Sequence, residues 1–226
     1  MFWVVAIAAM LLALNWIYQV VRKPAELFFP VSGVLNKTPE ETWRQYEPIF
    51  RRHSTALMTP ELLAALAQVE GAGNPVALTP WRVRASTDPR EIYRPASSAV
   101  GMYQITDGTF RQARRYCIRD HVAVEDCWLN SLYMRVIPSH AVELTSAYLD
   151  RRVAALLEAR RVAATHEQKQ HLAAFMHLCG AGAGEAYARA GFKLAPGQRC
   201  GEHDPRLYLA RVAAMKQRFA RLSAIR

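Results

Sequence analysis

The residue best suited to acid–base chemistry is Glu70, which stands where an apolar helical stretch stops. In the run TPELLAALAQVEGAGNP, residues 59–75, Thr59 suits a helix N-cap and Pro60 the first helical position, where a missing N–H costs nothing. Leu62, Leu63, Leu66 and Val69 recur at helical spacing, so the segment predicts a buried helix. Gly71, Gly73, Asn74 and Pro75 end it by offering left-handed backbone and a residue that cannot continue it. Glu70 then lies in the last turn, beside an apolar face and near the negative ends of helix carbonyls, and both favour a protonated carboxyl. It is a candidate proton donor. A glutamate at a helix end is also an ordinary surface residue, so the assignment needs support from elsewhere in the chain.

Three further stretches carry residues of matching chemistry. SSAVGMYQIT, from Ser97 to Thr106, holds Gly101, which permits close backbone approach, then Met102 and Tyr103 as groove-lining candidates. Gln104 adds an amide that can both donate and accept. AAFMHLCGAGAG, from Ala173, holds His177 and Gly180, and DPRLYLARV, from Asp204, holds Tyr208.

Taken in order with EGAGNP, these stretches resemble the successive motifs of the soluble lytic transglycosylase (SLT) family, which is similar to goose-type lysozymes and cuts the glycan strands of peptidoglycan. The resemblance covers about residues 55 to 215. It implies a lysozyme-like helical domain, Glu70 as catalytic acid and base, and cleavage of the MurNAc–GlcNAc β-1,4 bond with a 1,6-anhydro product. In that chemistry the substrate's N-acetyl group assists, so no second carboxylate is required. The resemblance further implies substrate contacts from Ser98 or Ser97, Gly101, Met102, Tyr103, Gln104, His177, Gly180 and Tyr208. Two departures stand out: Gly71 replaces a serine usual after the acid, and Leu178 replaces an asparagine.

At 226 residues the chain has room for one sizeable core domain and an anchor. Residues Phe2–Val21 are almost continuously apolar and long enough to cross a bilayer, although Asn15 and Gln19 interrupt the run. The expected division is an anchor or signal segment over 1–23, a tether over 24–37 and the SLT-like domain over 38–226. An uncleaved inner-membrane anchor with a periplasmic catalytic domain is the preferred placement. Arg22 and Lys23 directly after the helix argue for the opposite orientation.

Thr38 with Glu41 and Thr165 with Gln168 read as capping boxes of two further helices, and Pro48 is expected to bend or shorten the first. Helices are also expected from Thr106 toward Cys117, over about 139–162, and from Asp204. No period-two strand is evident, so the predicted class is mainly α. The stretch Val76–Ala96 reads as an insertion beside the groove, with Trp81, Tyr93, Arg82, Arg84 and Arg90 as candidate sugar contacts.

The cysteines, Cys117, Cys127, Cys179 and Cys200, form no CxxC pair, so zinc or thioredoxin-type chemistry has little to stand on, and the chain implies no metal or organic cofactor. In an oxidising compartment they suit disulfides; local pairing, Cys117 with Cys127 and Cys179 with Cys200, is favoured over the other two pairings and over free thiols. A net charge of +10 suits a polyanionic partner, such as the wall with its peptide carboxylates. Without zinc-finger spacing or another nucleic-acid signature, DNA binding is disfavoured. Three readings compete with the transglycosylase: a hydrolytic muramidase using Asp88 or Glu91 as second carboxylate, a non-catalytic or partner-activated peptidoglycan-binding scaffold with a lysozyme-like fold, and a basic DNA-binding protein. A secretion or conjugation apparatus is the expected larger partner.

Overall fold

A computed structural model describes residues 2–225. Its order is α1 (Phe2–Arg22), two 3-10 turns (Pro24–Phe28 and Ser32–Leu35), α2 (Pro39–Arg52) and α3 (Pro60–Gly71). A hairpin follows, β1 (Trp81–Val83) and β2 (Tyr93–Pro95), with the single-turn α4 (Pro89–Ile92) between its strands. Next come α5 (Asp107–Ala113), a second hairpin of β3 (Tyr116–Arg119) and β4 (Val122–Glu125), and then α6 (Pro138–Arg160), α7 (His166–Arg189) and α8 (Pro205–Ala224). The class is mainly α, as expected. The two antiparallel hairpins correct the reading that no strand is present. Strands of three and four residues are too short to display a period. In the second hairpin, Asp120 and His121 turn the chain with positive φ at both positions, the geometry a two-residue hairpin turn requires.

Local signals account for most helix ends. Thr38 and Glu41 form the reciprocal capping box on α2, as do Thr165 and Gln168 on α7, each satisfying amide donors that the helix leaves open. Thr59 accepts from the Leu62 amide at the start of α3. Pro48 does not end α2. Its ring and the Arg44 side chain face solvent, where water can satisfy the carbonyl that proline leaves without an N–H partner.

The core gathers on α3, which packs against α8 and α2. Leu62, Leu63 and Leu66 are completely buried with Phe50, Phe175 and Phe219. Burying such side chains contributes roughly 1.5–3 kcal/mol each relative to exposure. That helix is therefore rigidly seated, and its last turn can hold a side chain at a defined position.

Residues 24–37, the expected tether, make contacts with the domain. Glu26 is completely buried, the Lys37 amide donates to the Ala72 carbonyl at 2.8 Å, and Asn74 donates to Asn36 Oδ1 at 2.9 Å. Helix α1, by contrast, has only 6% of its most apolar window buried. It is long and apolar enough to cross a membrane, and it is not a core helix of the domain.

Candidate functional site

An open groove of about 730 Å³ runs across the end of α3, a volume within the usual range for small-ligand sites. Its floor holds Val69 and Glu70 of α3, Gln104, Leu178 of α7 and Tyr208 of α8. Its rim holds residues 77–80, Arg82, Arg84, Ser97, Glu202, His203 and Arg211.

Glu70 is placed by helix packing. The phenol of Tyr208 donates to Glu70 Oε1 at 2.6 Å, and His177 Nε2 lies 3.8 Å from the same oxygen. Both contacts fall on Oε1, so Oε2 is the oxygen open to a ligand. The Glu70 side chain keeps 16% of its surface exposed, enough to meet a substrate and too little to be surrounded by water. Tyr208 is buried, and burial first, then the charge of Glu70 and the hydrogen bond to it, hold the phenol well above its ordinary pKa. It therefore stays a donor across the neutral range. His177 Nε2 sits 3.0 Å from the Tyr103 carbonyl. A carbonyl only accepts, so that nitrogen carries the proton and is committed there. His177 backs Glu70 and is not a ready substitute for the asparagine amide.

Gly71 acquires a different meaning from the one its sequence context suggested. A Cβ at this position would stand 2.9 Å from Met102 Cα and 3.0 Å from the Gly101 carbonyl oxygen. The residue after the acid is thus where the α3 end and the 101–104 segment touch backbone to backbone. A serine there would have to push that segment away. Gly71, where the family usually has serine, is a packing requirement of this chain.

The 97–106 segment also departs from its predicted role. Met102 and Tyr103 are completely buried, and the Tyr103 phenol donates to the Leu63 carbonyl at 3.0 Å. They support α3 from below and do not line the groove. Gly101, at φ 79°, faces the Arg135 carbonyl oxygen, which a Cβ would approach to 2.6 Å. Gln104 does line the groove, but its amide nitrogen is bound to the carbonyls of Ala77 and Gly101 at 3.1 and 2.9 Å. Only its carbonyl oxygen remains for a ligand. Ser98 accepts from the Asp107 amide at the start of α5, outside the groove, where its neighbour Ser97 stands instead. Gly180, at φ 80° and ψ 169°, is the break between two halves of α7; it shapes the helix and lies outside the groove.

The insertion divides its candidates. Arg82 and Arg84 line the groove, with Arg82 bound to Glu202 through two hydrogen bonds of 2.6 and 2.9 Å. Trp81 and Tyr93 do not line it: their rings lie 5.1 Å apart against Phe29, so the stacking platform for sugars is not formed by them. Arg90 grips Asp88 and lies over the Tyr18 ring. Asp88 and Glu91, the carboxylates considered for a hydrolytic pair, are both outside the groove and held by arginines, Glu91 by Arg94 at 2.8 Å. Among the groove-lining residues only Glu202 joins Glu70 as a carboxylate, and it is engaged by Arg82 at the rim.

Sequence reasoning missed Glu202, His203 and Arg211. The first two lie in a turn just past Cys200, which is bonded to Cys179, and the structure also contains the Cys117–Cys127 bond. Arg211 follows Tyr208 at helical spacing, so it shares a face with it, a signal hidden among many scattered arginines. The groove thus gathers three guanidinium groups, a histidine, one open carboxyl and one paired carboxylate. No cluster of His, Cys, Asp and Glu suited to a metal ion occurs among the described residues.

Comparison with known proteins agrees in outline. The family model described as the transglycosylase SLT domain matches residues 47–175, more than half of the chain. The match includes Glu70 and the 97–106 segment and stops before His177, Gly180 and Tyr208. No curated protein matches the chain.

Proposed function

The chain belongs to the transglycosylase SLT family, whose members cleave the glycosidic bonds of peptidoglycan as lyases, and from that premise we propose that Glu70 alone carries the proton chemistry. The carboxyl proton of Glu70 passes to the glycosidic oxygen as the C1–O bond breaks, and the leaving sugar departs with a free hydroxyl. Positive charge at C1 is met by the carbonyl oxygen of the neighbouring N-acetyl group, so no protein nucleophile is needed. The Glu70 carboxylate then takes the proton of the 6-hydroxyl, whose oxygen attacks C1. A 1,6-anhydro ring closes, and Glu70 is returned to its starting state.

The observation that carries this reading is the hydrogen bond from Tyr208 to Glu70 on the floor of a groove that holds no second unengaged carboxylate. Tyr208 fixes the rotamer of the acid and leaves Oε2 to meet the substrate, which is the orientation general acid catalysis depends on. The Gln104 carbonyl oxygen is available to accept from the N-acetyl N–H. Arg84 and Arg211 supply positive charge suited to the carboxylates of the peptide stems.

In this reading α1 is an inner-membrane anchor and the catalytic domain works in the periplasm, where both disulfides persist. An anchored enzyme of this size suits local opening of the wall for a secretion or conjugation apparatus. The test is a digest of peptidoglycan sacculi by the full chain in detergent, with fragments identified by mass spectrometry beside Glu70→Gln. Fragments lighter by one water than hydrolysis products, absent with the variant, are the expected result. Hydrated reducing ends would instead make the enzyme a hydrolase, and binding without release in both proteins would favour a scaffold.

A further inference from the structure

The insertion hairpin that forms the groove rim has a second face. Trp81 turns away from the groove, and its indole N–H donates to Glu26 Oε2 at 2.8 Å. The last two turns of α1 run along this face. Asn15 Nδ2 donates to the Tyr93 carbonyl at 2.7 Å and Gln19 Nε2 to the Arg90 carbonyl at 2.8 Å. Arg22 pairs with Glu91, and Lys23 reaches Glu26 at 2.9 Å and the Ser97 carbonyl at 3.2 Å. The two amides that interrupt the apolar run are thus bound to hairpin backbone, the kind of partner a polar side chain needs in lipid.

Helix length makes the consequence quantitative. The part of α1 clear of these hydrogen bonds, Phe2–Leu14, rises about 20 Å, whereas a hydrocarbon core is roughly 30 Å thick. The whole of α1, Phe2–Arg22, rises about 30 Å, so the described helix matches that thickness with the turns that carry the hairpin included. The outer surface of the hairpin and of the preceding segment is of matching character: Val83 is 75% exposed, and Leu27, Phe29, Val31, Ile92 and Tyr93 are exposed beside it. Arg22, Lys23 and Arg94 lie in the same region, where anionic headgroups favour cations.

We propose that the 81–95 hairpin and residues 27–35 form a membrane seat, immersed in the headgroup and upper acyl region of the phospholipid bilayer. The groove then opens at the bilayer surface, and the enzyme acts on glycan strands lying close to the membrane. This inference rests on the reading of α1 as an anchor. The rim strand β1 serves both purposes at once, with Arg82 on the groove and Trp81 on the seat, so seat and substrate groove are fixed to each other by the pleat of a single strand.

The test uses the full chain reconstituted into vesicles of phosphatidylethanolamine and phosphatidylglycerol. An environment-sensitive fluorophore is attached to a single introduced cysteine, at Leu11→Cys, Val83→Cys or Ala163→Cys, the native cysteines being disulfide-bonded. Quenching by nitroxides on shallow or deep acyl positions is compared with quenching by aqueous iodide. The expected pattern is emission loss to deep nitroxide at position 11, to shallow nitroxide with protection from iodide at position 83, and to iodide alone at position 163. If position 83 behaves like position 163 while position 11 responds to lipid nitroxide, the anchor stands and the seat is overturned. If position 11 is also quenched only by iodide, the anchor reading fails and the seat falls with it.

Discussion

The floor of the groove, where Glu70 meets Tyr208, and its rim, formed by the 81–95 hairpin, share one pocket yet are held by different forces. The floor stands on completely buried side chains, Leu63, Leu66, Met102 and Tyr103, and on backbone contact between Gly71 and Met102. The rim stands on two three-residue strands, on hydrogen bonds from Asn15, Gln19 and Trp81 that tie it to α1 and Glu26, and on the Arg82–Glu202 pair, whose side chains are 47% and 72% exposed. Packed interiors resist displacement by even a methylene, whereas exposed ion pairs contribute little to stability. The difference teaches that the acid is positioned by the core, while substrate contacts and location are left to a segment that can vary without unfolding the domain.

The comparison is broken most directly at the acid. Glu70→Gln keeps the shape of the floor and removes its proton, so turnover of sacculi should fall by about 10²–10⁴-fold with an unchanged melting temperature. A variant that melts early would mean the floor needs the carboxyl for stability as well. The Cys179–Cys200 bond, which joins the residue after Leu178 to the loop carrying Glu202 and His203, closes 21 residues. Replacing both cysteines by serine should cost about 3 kcal/mol of stability in denaturant unfolding, with His203 and Glu202 freed before the floor is disturbed; equal loss of order at Tyr208 would erase the distinction.

Gly71→Ser probes the floor alone. The added side chain meets the backbone of Met102, so a loss of roughly 1–3 kcal/mol is expected, together with lower activity because the last turn of α3 shifts. A serine that raised activity would show that the contact with Met102 can give way and that a hydroxyl beside Glu70 helps the reaction. Tyr208→Phe leaves packing intact and removes one hydrogen bond to the acid, worth about 1–2 kcal/mol or roughly a fivefold to thirtyfold drop in kcat. The smallest effect is expected at the rim: Arg82→Ala should raise KM several-fold, leave kcat and the melting temperature unchanged, and make the residual binding less sensitive to salt. A fall in kcat there would show that rim and floor are coupled.

The membrane-directed face of the hairpin extends the same contrast. Trp81 and Tyr93 looked like sugar platforms because aromatic residues near arginines are common in glycan sites. Which way each side chain points follows from strand register: Trp81 pairs with Pro95 and Val83 with Tyr93, and successive residues alternate between faces. A stretch with so short a strand carries no detectable period, so this could not be read from the chain alone.

Much was legible without coordinates. The buried helix ending at Glu70, the two capping boxes, the apolar α1 and the local cysteine pairing all depend on near neighbours in sequence, where spacing and side-chain chemistry decide the outcome. The ordered motifs identified the family for the same reason, since each is a short contiguous segment. Only the tertiary structure decided that Tyr208, 138 positions away, hydrogen-bonds Glu70, that Met102 and Tyr103 support the acid from within the core, and that Gly71 is a point of contact. These are contacts between distant segments, set by how helices pack and by which side of a short strand faces the groove, and no local pattern encodes them.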